Sequence, residues 1–197
     1  MKKPNYIFDL GNVLLTWTPM VQLRKDFPGQ EELCQTLHDL IYLSPEWKML
    51  DNGDITREEA FKRFIERRPD LEDQLTLTKM HQADIFHPIQ AAVAVLPELK
   101  AQGHGVYFLS NYQVELAEEA MERHDFFPLF DGGVFSCDVH LLKPDPRIYQ
   151  ALLTKYELVP EECTFFDDMP TNVEGAKAEG MNSFVVNSPK DVLDNIK

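Results

Sequence analysis

Residues Tyr6-Ile7-Phe8-Asp9-Leu10-Gly11-Asn12 place a short apolar run directly ahead of a carboxylate, with a glycine two positions further on. A run of this kind, without polar alternation, suits a parallel strand covered on both faces. A carboxylate beside dry apolar surface is costly unless it has a partner, so Asp9 calls for one. The pattern returns at Thr164-Phe165-Phe166, which ends in Asp167-Asp168, and residues 106–109, 133–135 and 183–186 have the same apolar character. Helical patterns separate the later runs. The order therefore reads as an α/β fold built on an open, five-stranded parallel sheet with helices on both faces.

Helix ends are marked by their capping chemistry. Asp145 and Pro146 supply an N-cap and a first-turn proline for a helix reaching to Tyr156. Thr171-Asn172-Val173-Glu174 reads as a capping box opening a helix that Gly180 closes, and Ser188-Pro189 opens the last one. Pro88 opens a helical stretch that Pro97 interrupts and Gly103 ends. The stretch 16–86 differs, because it holds helical patterns and no strand. Ser44-Pro45 starts a helix ahead of Trp47, and Thr56-Arg57-Glu58-Glu59 is a capping box following a turn at Asp51-Asn52-Gly53-Asp54. A strand, a helical block and then the rest of the sheet describe an insertion. Residues 1–15 and 87–197 are expected to form the α/β core, and 16–86 an α-helical cap above the end of the first strand.

Composition narrows the partners. A chain of 197 residues with 44% hydrophobic content suits one domain carrying an insertion. Its formal net charge of -14 disfavours nucleic acid and anionic membranes, and any anion site must be made locally positive. Cys34, Cys137 and Cys163 are odd in number and lack metal-ligand spacing, which suggests a reducing cytoplasm. Met1-Lys2-Lys3 is basic, but Pro4 follows and the apolar run stops at Asp9, unlike a signal peptide. No apolar stretch is long enough to span a bilayer. The six histidines show no ligand spacing, and His140 reads as a solvent-facing loop residue close to Lys143.

Between the two strand-end carboxylates stand Ser110, ending Val106-Tyr107-Phe108-Leu109, and Lys143, preceding Pro144-Asp145-Pro146. A nucleophilic acid, a hydroxyl, a cation and a metal-binding acid are the parts for phosphoryl transfer through an aspartyl intermediate. In this order they resemble the haloacid dehalogenase superfamily over essentially the whole chain. Phe8-Asp9-Leu10-Gly11-Asn12-Val13 is similar to its first motif, Leu109-Ser110-Asn111 to its second, and Lys143-Pro144-Asp145-Pro146 to its third. The stretch from Phe166-Asp167-Asp168 through Asn172 to Ala176 is similar to its fourth. Within the superfamily the chain most resembles bacterial sugar-1-phosphate phosphatases and the phosphatase domain of soluble epoxide hydrolases.

The resemblance implies a Rossmann-like sheet with the first strand beside the fourth, a switch point where ligands settle beyond the strand ends. It implies Asp9 as nucleophile, Ser110 and the Asn111 N–H on the transferring phosphoryl group, and Lys143 neutralising charge. Mg²⁺ would be held by Asp9, Asp168 and the Gly11 carbonyl, and all-oxygen ligation suits that ion. Asp167 is read as supporting the metal site or capping the next helix, and Asn172 as orienting a neighbour or lying on a helix surface. Trp17 is read as a pocket wall or a hinge-packing ring, and Trp47 as core. The implied partner is a small phosphorylated metabolite, foremost a sugar phosphate, for a cytoplasmic monomer or small homo-oligomer.

One departure matters. Superfamily phosphatases usually carry a second Asp two positions after the nucleophile as general acid–base, and this chain has Gly11 there. Loss of such a group costs roughly 10²–10⁴-fold in rate. Besides a slower phosphatase that prefers a good leaving group or uses another proton carrier, two alternatives stay open: a metal-independent 2-haloacid dehalogenase, whose halide needs no proton, and a non-catalytic binding or regulatory module.

Overall fold

The computed structural model describes residues 3–196; Met1 and Lys2 of the basic start lie outside them. The five expected strands are present as β1 (Asn5–Phe8), β2 (Gly105–Ser110), β3 (Gly132–Phe135), β4 (Cys163–Asp167) and β5 (Asn182–Val185). They form one parallel sheet in the order β3-β2-β1-β4-β5. Strand β1 is central, and the chain leaves it in one direction for β2 and later returns to its other side for β4. Its C-terminal end is therefore the switch point, where the flanking loops diverge and leave a crevice.

Side-chain alternation divides the core between two faces. Ile7, Leu109, Val134 and Phe165 point to one, against helices α10 (Pro146–Lys155) and α11 (Pro170–Ala178). Tyr6, Phe8, Val106, Phe108 and Phe166 point to the other. There they meet α6 (Gln90–Val93), α7 (Val95–Ala101), α8 (Val114–Arg123) and α12 (Pro189–Asn195). Phe8 and Phe166 stack across the β1–β4 pair with centroids 5.3 Å apart and are fully buried. Each such ring contributes roughly 1.5–3 kcal/mol by leaving water, and together they stiffen the two strands that carry Asp9 and Asp167.

Between β1 and α6 the chain is helical: α1 (Pro19–Asp26), α2 (Glu31–Tyr42), α3 (Pro45–Asp51), α4 (Arg57–Arg67) and α5 (Glu72–Met80). Two caps form as expected. The Ser44 side chain accepts from the Trp47 N–H at 3.2 Å, and Thr56 from the Glu59 N–H at 3.1 Å. The block leaves and rejoins the core at adjacent points. The Thr16 N–H donates to the His87 carbonyl and the Ile89 N–H to the Leu14 carbonyl, each at 2.8 Å. Helix α9 (Ser136–Val139) follows β3 and touches the end of α3. Among the described residues, no helix is long and apolar enough to cross a membrane.

Three sequence expectations shift. The helix after Asp168 starts at Pro170, and the Thr171 capping box does not form, because a proline already fits the first helical position. Pro97 does not interrupt a helix. It lies in the first turn of α7, where its missing N–H is not needed, and the break falls at Ala94. Asp51 belongs to the last turn of α3, with Asn52 as C-cap, so the turn begins one residue later than expected.

Gly53 closes that turn with φ +72, and a Cβ there would lie 2.7 Å from the Cys137 carbonyl oxygen. Both the backbone conformation and the close approach require glycine. Gly53→Ala is expected to destabilise the fold by about 1–3 kcal/mol, read as a lower midpoint in urea unfolding with an unchanged slope.

Candidate active site

Register sets the geometry. Phe8 lies abreast of Phe108 and Phe166, so Asp9 and Asp167 come at one level at the sheet edge, with Ser110 and Asp168 one residue further along. The Asp9 N–H donates to the Phe166 carbonyl at 2.8 Å, which holds the last turn of β1 against β4. Asp9, Ser110, Asp167 and Asp168 thus arrive together at the switch point. Lys143 joins them from the loop between α9 and α10. Asn111 fastens that loop: its Oδ1 accepts from the Lys143 N–H at 2.8 Å and its Nδ2 donates to the Lys143 carbonyl at 3.2 Å.

The Lys143 ammonium is 5% exposed. Its Nζ lies 2.9 Å from Asp9 Oδ1, 2.7 Å from Asp167 Oδ2 and 2.9 Å from the Leu109 carbonyl. Three acceptors meet three donors, so the buried cation is fully satisfied. Burial alone would lower its pKa, but Asp9 and Asp167 outweigh that and hold it above the ordinary lysine value.

Asp9 Oδ1 also accepts from Ser110 Oγ at 2.7 Å and from the Leu10 N–H at 2.8 Å. Burial pushes the Asp9 carboxyl up to about 6; the neighbouring Asp167 adds to this, while Lys143 and Ser110 oppose it. All three donors converge on Oδ1, and Oδ2 accepts none from the described residues. Ser110, expected on a phosphoryl group, here orients Asp9.

Asp167 is fully buried and occupied. Its Oδ1 accepts from the Met169 N–H at 2.8 Å, and Asn172 Nδ2 donates to both oxygens at 3.0 and 3.1 Å. Asn172 is only 7% exposed, so it is an orienting residue and not part of a helix surface. Asp168 is half-buried with its pKa raised by burial, and its Oδ2 accepts from Asn12 Nδ2 at 2.9 Å. Asn12 has φ +54, a left-handed conformation that asparagine tolerates, and its Oδ1 also accepts from the Trp17 N–H.

Asp9, Asp167 and Asp168 bring carboxylate oxygens within 4.8 Å of one another. One ammonium faces three carboxylates, which leaves uncompensated negative charge. With Asp167 spent on Lys143, Asn172 and a backbone N–H, Asp9 and Asp168 remain to meet a cation. An all-oxygen donor set of this kind fits a hard divalent ion.

Above these residues lies a cavity of about 540 Å³, reached by Asp9, Gly11, Ser110, Asn111, Lys143, Asp168 and Asn172 from the sheet end. Trp17, Trp47, Lys48, Asp51, Phe86 and Tyr112 line the rest. Trp47 packs against the core as expected and also forms a cavity wall; with Trp17 it flanks Tyr42, centroids 4.8 and 6.1 Å away. Tyr112 presents a buried hydroxyl with no hydrogen-bond partner. His140 is exposed, and its Nδ1 lies 2.9 Å from the Asn52 carbonyl. Asn12, Lys48, Asp51, Phe86 and Tyr112 were not anticipated. Only Asn12 carried a signal, lying within the Asp-Leu-Gly-Asn turn.

Comparison with known proteins agrees with this arrangement. Residues 6–180 match the haloacid dehalogenase-like hydrolase family. The sesquiterpene phosphatase astK of Aspergillus oryzae is 29% identical over 89% of this chain and 85% of its own length. The (S)-2-haloacid dehalogenase 1 of a Pseudomonas species is also 29% identical, over 92% of this chain and 83% of its own. A phosphorylated carbohydrates phosphatase of Thermotoga maritima is 39% identical over 38% of this chain and 36% of its own. A solved HAD family enzyme from Bacteroides thetaiotaomicron, in complex with magnesium and inorganic phosphate, shares the fold. It has a TM-score of 0.70 at 20% identity, covering 93% of this chain and 94% of that one.

Lys143→Met leaves Asp9 and Asp167 facing each other without their cation. Breaking a buried pair in this way costs about 3–5 kcal/mol, measurable by urea unfolding at pH 7. The variant removes a cation that lowers the Asp9 pKa, so that pKa rises further above its unfolded value. The penalty is present above the folded pKa and fades as pH falls through it. The stability gap to wild type is therefore expected to shrink between pH 7 and pH 5.

Proposed function

We propose, for a chain that belongs to the haloacid dehalogenase-like hydrolase family, a Mg²⁺-dependent phosphatase acting on small phosphomonoesters, sugar phosphates foremost. The observation carrying this reading is the charge pattern at the switch point. Asp9 keeps one oxygen free of donors while Lys143, Ser110 and the Leu10 N–H hold the other. A pre-oriented carboxylate with a free oxygen is the form a nucleophile requires. Asp168 beside it supplies the second carboxylate for a divalent ion. A dehalogenase needs no metal, and would leave the Asp168 carboxylate only its bond to Asn12.

In this reading Asp9 Oδ2 attacks phosphorus and the ester oxygen departs with the alcohol, leaving a phosphoaspartate that water then hydrolyses. Ser110 Oγ, held against Asp9, and the Asn111 N–H would hydrogen-bond the transferring oxygens. Lys143 holds charge down on Asp9 through both steps. Asp9, Asp168 and the Gly11 carbonyl would hold Mg²⁺, which would supply positive charge to the phosphate. Asp167 and Asn172 act one step removed: Asp167 anchors Lys143, and Asn172 fixes Asp167.

We assign residues 1–15 and 87–197 to the core and 16–86 to a cap that excludes bulk water and reads the leaving group. Trp17 and Trp47 supply flat apolar walls there. The carbohydrate phosphatase relative favours a sugar, and the sesquiterpene phosphatase relative places a terpenyl phosphate in the same test.

Phosphate release from sugar 1- and 6-phosphates, a terpenyl phosphate and 4-nitrophenyl phosphate is expected with Mg²⁺. It should fall to background with EDTA and in Asp9→Asn. Turnover that survives the Asp9 change would remove the nucleophile assignment. Chloride release from a 2-haloacid without metal, and no phosphate release, would install the dehalogenase in its place.

A further inference from the structure

Gly11 stands where the proton carrier of these phosphatases is expected, and the cavity holds a carboxyl group that the reading above has not used. Asp51 ends helix α3 and lines the same cavity as Asp9 and Asp168. Its carboxylate makes no hydrogen bond or ion pair to a described residue, although Asp51 is part-buried at the cavity wall. A carboxyl group in that condition serves no structural purpose that would offset its desolvation.

Its position is nonetheless built. Ser136 Oγ donates to the Asp51 carbonyl, and the same oxygen accepts from the Tyr112 N–H at 2.9 Å. The next carbonyl, of Asn52, is met by His140 Nδ1. Gly53 presses on the Cys137 backbone too closely for any side chain. Three consecutive residues of the cap are thus fastened to the segment after β3.

In-line transfer fixes which side a proton donor must occupy. The attacking and leaving oxygens lie on opposite sides of phosphorus. Asp9 attacks from the sheet, so the leaving oxygen departs toward the cap, where Asp51 stands.

We propose that Asp51 is the proton carrier of the hydrolysis, filling from the cap the role that Gly11 leaves vacant. This inference rests on the phosphatase reading. In the first step the Asp9–phosphorus bond forms, the phosphorus–ester oxygen bond breaks, and the Asp51 carboxyl gives its proton to that oxygen. In the second, the Asp51 carboxylate takes a proton from water as the water oxygen bonds to phosphorus. The acyl–phosphate bond breaks, Asp9 returns as a carboxylate, and Asp51 is protonated again.

The electrostatics agree with these states. Burial pushes Asp51 up to about 8; Asp9 raises it further and Lys143 opposes. The other titratable or charged groups around it are Tyr112, Cys137, Asp168, His140 and, on its own helix, Lys48. Near neutral pH the group therefore starts as the acid the first step requires.

The test compares leaving groups in wild type and Asp51→Asn, both with Mg²⁺. A sugar 6-phosphate releases an alkoxide that needs the proton, and 4-nitrophenyl phosphate releases a stable phenolate. The variant is expected to lose about 10²–10⁴-fold in kcat on the sugar ester. On 4-nitrophenyl phosphate it should give a first-turnover burst within tenfold of the wild-type rate, then slow turnover as phospho-Asp9 accumulates. Wild type should lose activity above pH 8 on the sugar ester, a limb absent from the variant. An equal first-turnover loss on both esters, or a raised KM with kcat unchanged, would overturn the role and leave the phosphatase reading standing. No phosphate release by wild type on any ester would overturn both. Asp51→Ser supports the same comparison if the Asn variant does not fold.

Discussion

The molecule is organised around one buried ammonium. Among the described residues, Lys143 is the one cation bonded to the carboxylates at the switch point, and all three of its N–H donors are taken. Two of those acceptors, Asp9 and Asp167, end adjacent strands, so the cation binds β1 to β4 at the end where ladder hydrogen bonding stops. Asp167 could not remain fully buried without it, and Asp9 would draw its proton more tightly. The loops around it follow from this need. Asn111 clamps the Lys143 backbone on both sides, and Asn172 donates to both oxygens of the Asp167 carboxylate. A site of this kind resists loss of any one member, because each satisfies another's buried charge.

The sheet was legible because its strands are covered on both faces, and the sequence shows that as unbroken apolar runs. All five strands fall on the expected runs; each starts one residue earlier, β2 and β4 also run one residue further, and β5 stops at Val185, one short of the expected end. Helix starts were legible where a cap side chain accepts from an N–H of its own first turn, as at Ser44, Thr56 and Asp145. They were misread where two signals competed: at Thr171 a preceding proline had already opened the helix, and at Pro97 a supposed breaker sat in a first turn that tolerates it.

Within the site, strand-end residues were the readable ones, since parallel register alone brings Asp9, Ser110, Asp167 and Asp168 to one edge. Trp47, Asp51 and Tyr112 were not readable in the same way. Their placement depends on the docking of residues 51–53 against 136–140, and the bond between Ser136 and Asp51 joins positions 85 apart in the chain. No local pattern encodes such a contact. Asp51 in particular sits in a helix-to-turn stretch where acidic residues are common for conformational reasons.

The paired crossings at Leu14–Ile89 and Thr16–His87 place the start and finish of the helical block side by side. To the sheet the whole block is therefore a single excursion from one point, and the entropy of closing it grows only slowly with its length. Such a block can be treated as a cassette, exchangeable for a longer or shorter one without re-threading the strands. Its contents are not neutral cargo, however. On the reading proposed above, a graft of this cassette would carry Asp51 and the cavity walls it brings as one inherited unit.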